Sequence, residues 1–116
     1  GAHVVACDYV GIASGNDVAD KFAKAGFHAV KSEYVDAPLI EELAVAVECR
    51  LTSYDEETCR MVGEIVNISV DESVLDEQGK VDVAKVQPIT FDPFNNTYVK
   101  LGEVVGNAFK DGAALK

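Results

Sequence analysis

A chain of 116 residues, 48 % hydrophobic and 26 % charged, has the composition of one ordinary globular domain with an apolar core, which excludes intrinsic disorder and collagen-like repeats. Twenty acidic against ten basic residues leave a net charge of −10, a field that repels phosphate backbones and anionic lipid surfaces, so neither nucleic acid nor a membrane is expected as partner. Apolar stretches such as Leu43 to Val47 are far shorter than the roughly 20 residues of a membrane helix, and no basic segment precedes an apolar signal core. With three cysteines in no CxxC or zinc-ligand spacing, the chain reads as a cytoplasmic protein with reduced thiols.

In chain order, His3 to Ile12 carries Val4, Val5, Tyr9 and Ile12 at spacings compatible with a helix, against the reluctance of β-branched valine. Ser14, Gly15 and Asn16 form a short loop. A second helix is predicted from Asn16 to Gly26, capped by Asn16 or Asp17, with Val18, Phe22 and Ala25 on one face and Gly26 as its stop. Leu43, Val45, Val47, Cys49 and Leu51 then alternate with Ala44, Ala46, Glu48, Arg50 and Thr52, the period of two of a half-buried strand. After the turn at Asp55 to Glu57, apolar residues sit first on odd positions (Cys59, Met61, Ile65) and then on even ones (Val66, Ile68, Val70). That change of phase near Gly63 predicts a β-bulge, and bulges help sheets bend toward barrels. Leu43 to Val70 is thus a long, bent hairpin. Pairing Tyr54 with Thr58 sets Cys49 near Gly63, away from Cys59, so no cross-strand disulfide is expected.

Beyond it, Asp71 to Val86 is an acidic surface excursion punctuated by Gly79, with Asp82 capping a short turn through Val83 to Val86. Ile89 to Phe91 and Thr97 to Leu101 are short strands around the turn Asp92-Pro93-Phe94-Asn95-Asn96. Gly102 to Phe109 reads as a terminal helix ended by Gly112. The whole is a mainly β chain with peripheral helices, an α+β fold in a single domain spanning residues 1–116.

Few constellations carry chemistry. The acidic run Asp71, Glu72, Asp76, Glu77 and Asp82 lacks the ligand alternation of an EF-hand loop. His3 and His28 are far apart in sequence, so no metal site is predicted. Cys7 has no neighbouring base to lower its pKa and reads as inert. Ser14-Gly15-Asn16 before a predicted helix start, with Lys21 one turn in, suits an anion at free backbone amides. Asp17 and Asp20 compete for that positive end, and a loop with a cap is the alternative reading.

Taken together, Asp8-Tyr9-Val10-Gly11-Ile12-Ala13-Ser14-Gly15, Asp20-Lys21-Phe22, Asp36-Ala37-Pro38, Glu48-Cys49 and Val62-Gly63-Glu64-Ile65-Val66 resemble the flavin reductase-like family. The late segments Pro88-Ile89-Thr90-Phe91-Asp92-Pro93, Asn96-Thr97-Tyr98 and Leu101-Gly102-Glu103 extend the resemblance over nearly the whole chain. It implies part of an FMN-binding split β-barrel, assembled as a homodimer with the flavin near the subunit interface. It also implies an oxidoreductase that passes electrons from NAD(P)H through FMN to an acceptor, with a non-catalytic flavin-binding or dimerisation module as the alternative. The chain begins where such proteins are already part-way through, so it is expected to be the C-terminal portion of that domain, its first strands missing. By the same resemblance, Ser14, Gly15 and Lys21 correspond to a phosphate contact, and Asp92 and Tyr98 to positions near the flavin or the incoming nicotinamide. Some relatives carry a histidine on the strand before the Gly-Glu pair. Thr58 stands there in this chain, so a ring contact from that position is not expected.

Overall fold

The computed structural model describes residues 1–116. Helix α1 (Val4–Ile12) forms as its spacing predicts, although its last turn contains no basic residue of its own to meet the free carbonyls. The second helix is much shorter than predicted: α2 is Lys21–Ala25, with Asp20 at its N-cap making no side-chain cap bond. Local turn chemistry takes the residues before it. Ser14 Oγ accepts the Asn16 amide at 3.2 Å, and the Ser14 carbonyl accepts those of Asp17 and Val18, so Asn16 and Asp17 are spent in a turn. Gly26 stops α2 as expected, in the left-handed conformation at φ 76° that glycine adopts without strain. Phe27 follows, buried between the rings of Phe22 and His3, and locks α2 against α1.

The β structure is three separate antiparallel hairpins: β1 (Ala29–Lys31) with β2 (Pro38–Ile40), β3 (Val45–Asp55) with β4 (Arg60–Val70), and β5 (Ile89–Asp92) with β6 (Thr97–Lys100). The long hairpin β3–β4 is the expected one. It bulges twice, between Leu51 and Ser53 opposite Gly63 and Val62, and between Glu48 and Cys49. A Cβ on Gly63 would stand 3.2 Å from the Cys49 Cβ, so the bulged backbone approaches closely where glycine occurs. The register differs from that predicted, since Tyr54 pairs with Met61 and Cys49 with Ile65. The cause is a wider turn, in which Asp55 Oδ1 accepts the amides of Glu57 and Thr58 and Cys59 takes a positive φ. All three cysteines are free thiols.

The burial of β3 also departs from its hydrophobic pattern. Glu48 is buried, whereas Val47 is 53 % and Leu51 61 % exposed, so the polar set faces inward at the hairpin base. Beyond the hairpin, Asp82 caps α3 (Val83–Val86) through the Ala84 amide, as predicted, and Asp71 caps a 3-10 turn (Glu72–Val74) through that of Ser73. Val74 anchors this excursion. The predicted terminal helix is absent: residues 102–107 are irregular and only Asp111–Leu115 forms a 3-10 turn. Glycines 102 and 106 and the valines between them disfavour helix, and this stretch has no surface to pack against, Val105 and Phe109 being fully exposed.

Instead of the expected core, four residues are buried, Phe27, Ser32, Glu48 and Val74. The accessible area is 9612 Å², against roughly 6,100 Å² for a folded chain of this mass. The radius of gyration is 17.3 Å where about 13 Å is usual for the length. Each hairpin pairs only with itself, leaving its faces and edges open.

Candidate functional site

Helix α1 is the spine of the candidate site. Lys21 folds back from the start of α2 and donates through Nζ to the carbonyls of Val10 at 3.1 Å and Ala13 at 3.0 Å, providing the cap that α1 lacks in its own sequence. Gly15 lies beside this ammonium, a Cβ there falling 4.0 Å from Nζ. Ser14, Gly15 and Lys21 are therefore brought together, but at the C-terminal end of α1 and not at a helix start. The positive charge comes from the lysine alone. No carboxylate lies within 4.0 Å of it, the ion pairs being Asp20 with Lys24, His28 with Glu42, and Arg50 with Glu64. With two of its three N–H groups used on carbonyls, the ammonium keeps one donor for an anion.

The opposite end of the molecule returns to the same helix. Tyr98, on β6, donates its hydroxyl to Asp8 Oδ1 at 2.8 Å, joining residues 90 apart in sequence. This hydrogen bond, with the negative charge of Asp8, raises the phenol above its ordinary pKa. Tyr98 pairs across the strands with Phe91, their ring centroids 5.9 Å apart. Asp92 stands apart, being on the other face of β5 by strand alternation. Its oxygens accept Asn95 Nδ2 at 2.8 Å and the Phe94 amide at 2.9 Å, which hold its carboxyl below the usual range and commit it to the turn.

The largest polar cluster was not singled out from sequence. Glu48 accepts the hydroxyl of Ser32 at 2.5 Å and, on its other oxygen, Ser69 Oγ at 2.8 Å and the Asn67 side-chain amide. The Ser32 oxygen also accepts the amides of Tyr34 and Val35. These donors favour the ionised carboxylate and lower its pKa, the Ser32 bond most. The knot ties the loop after β1 to the base of β3–β4, beneath a mostly apolar cavity of about 200 Å³ between β2 and β3. Asp8 was likewise missed, because nothing local marks it as the acceptor for a tyrosine 90 positions away.

No family model matches the chain. A curated relative, an uncharacterized protein of Aquifex aeolicus (strain VF5), is 36 % identical over 72 residues, covering 60 % of this chain and 37 % of its own. Among solved structures, an FMN-binding domain of a flavin reductases-like enzyme from Shewanella baltica OS155 matches at TM-score 0.73 and 17 % identity, over 91 % of this chain and 58 % of that one. Nitrilotriacetate monooxygenase component B from Bacillus cereus matches at 0.67 and 21 %, over 90 % and 55 %. The fold is thus that of the flavin reductase-like proteins, mainly β with a few helices. Flavoredoxin of Desulfovibrio vulgaris (Miyazaki F) matches at TM-score 0.87 and 40 % identity over 96 % of this chain and 60 % of its own. On that likeness the chain is similar in sequence and in fold to flavoredoxin, and it spans little more than half the length of the structures it matches. No helix is long and apolar enough to cross a membrane.

Proposed function

We propose that the chain is the C-terminal portion of a single flavin reductase-like domain. It binds FMN as part of a split barrel completed by strands from outside the 116 residues, and passes electrons from NAD(P)H to an acceptor in the cytoplasm. The observation that carries the binding half is the Lys21 ammonium, free of carboxylates and flanked by the side-chain-free surface of Gly15. A phosphate fits this donor set. Ser14 adjoins Gly15 in the same loop, its hydroxyl accepting the Asn16 amide, and Tyr98 offers an aromatic surface with a polar edge, whereas Asp92 is held in the turn beyond. Bound flavin would supply hydride acceptance at its ring, a chemistry that asks of the protein only position and shielding.

Absorption spectra of the protein carrying the strands that complete the barrel, taken after FMN addition and desalting and again after anaerobic NADH or NADPH, test this reading. Retained flavin bands that bleach with a nicotinamide nucleotide support it; a colourless protein overturns it. Lys21→Ala is expected to weaken FMN at least about tenfold, as for other hydrogen bonds to a charged group, while leaving riboflavin, which lacks the phosphate, unchanged.

A second reading, a non-catalytic dimerisation module, draws on the exposed apolar side chains of the long hairpin, among them Leu51, Tyr54, Met61 and Ile65. Stoichiometric flavin in a homodimer that does not oxidise NAD(P)H would favour it.

A further inference from the structure

The Asp8–Tyr98 contact carries an inference that rests on the flavin and nicotinamide reading and goes beyond it. A phenol has one proton and two lone-pair directions, and an ionised carboxylate only accepts. With Tyr98 Oη 2.8 Å from Asp8 Oδ1, the direction of this bond is fixed: the proton is committed inward, to α1, and the lone pairs remain for whatever lies on the outer side. The ring itself is 45 % exposed and Phe91 beside it 52 %, a pair of adjacent aromatic surfaces inclined at 59° on one face of β5–β6. Such a face suits a planar heterocycle.

We propose that Asp8 is a positioning residue that makes the Tyr98 hydroxyl an acceptor only, so that it reads an N–H flanked by carbonyl chemistry on a planar heterocycle lying against the Phe91–Tyr98 face. The flavin ring imide and the nicotinamide carboxamide both carry such a group. A hydroxyl free to rotate would serve a carbonyl equally well; the Asp8-held one discriminates against it. The raised phenol pKa agrees with this arrangement, to which Cys7 also contributes electrostatically.

Two measurements on the full chain test it. The Tyr98 Cζ resonance followed against pH should show the phenol titrating above its ordinary value, and falling back toward that value in Asp8→Ala. Titration at the ordinary value in the unsubstituted protein would overturn the proposal. In the second, affinities are compared for FMN against N3-methyl FMN, and for NADH against an analogue with a dimethylated carboxamide. Removal of the N–H is expected to cost one of these ligands roughly fivefold, the worth of one ordinary hydrogen bond, and to cost nothing in Tyr98→Phe. In Asp8→Ala the discrimination should shrink while the unmodified ligand still binds, which a merely structural role would not produce. The ligand that shows the effect identifies the source of the N–H. Equal binding of both pairs overturns the proposal. Failure of FMN to bind, with NADH discrimination intact, sinks the flavin reading and leaves this one standing.

Discussion

The two halves of the β3–β4 hairpin are built on opposite terms. At the base, Glu48, Asn67 and Ser69 join Ser32 in a knot in which every listener has a donor or acceptor, and Glu48 and Ser32 are almost completely shielded from water. In the outer half, from Leu51 to Ile65, every residue is exposed, and Leu51, Tyr54, Met61 and Ile65 turn large apolar surfaces to solvent. The base is fixed within the chain by polar contacts that define one geometry. The outer half has pairing but no covering within the chain.

The contrast is broken most forcefully at Glu48. Glu48→Ala leaves the Ser32 and Ser69 hydroxyls and the Asn67 amide without their shared acceptor, and a fall in Tm on the order of 10 °C is expected by thermal unfolding. An unchanged Tm would mean that the knot is ornamental. Acid sharpens the same point with a smaller effect. Because the folded carboxyl has a lowered pKa, its contribution is complete above the unfolded value of about 4.3 and is lost as pH falls through the folded value. Unfolding midpoints should therefore decline faster below about pH 4.3 in the unsubstituted chain than in Glu48→Gln, which has no such titration. The smallest effect on stability belongs to the outer half. Leu51→Lys with Ile65→Lys, both at positions 61 % exposed, should move Tm by less than about 3 °C while shifting sedimentation toward the monomer. A Tm loss as large as that of Glu48→Ala would erase the distinction between the halves.

Much of this architecture is legible in the sequence because it rests on local signals. The phase change of apolar residues near Gly63 marks a bulge, Asp82 is a readable cap, and the turn around Asp92 follows from Pro93, Asn95 and Asn96. The failures have physical causes of two kinds. Helix α2 loses its first turns because Ser14 captures the amides that would have begun it, and residues 102–109 lack a surface on which a helix could dry its apolar side. The strand face departs from the pattern because alternation tells which residues share a face and not which face is covered, and Glu48 is inside because Ser32, Asn67 and Ser69, from other elements, meet it there. At the candidate site the sequence supplied Ser14, Gly15 and Lys21 as a group, but the carbonyls that hold Lys21 and the carboxylate that holds Tyr98 are products of tertiary folding.

The hold on Lys21 has a thermodynamic consequence. A free lysine surrenders as much as roughly 2 kcal/mol of rotamer entropy when a ligand immobilises it. Here the stem is already pinned by the carbonyls of Val10 and Ala13. An anion taking the remaining N–H meets a side chain whose ordering was completed during folding, so its association should be favoured by preorganisation rather than opposed by a large loss of side-chain entropy.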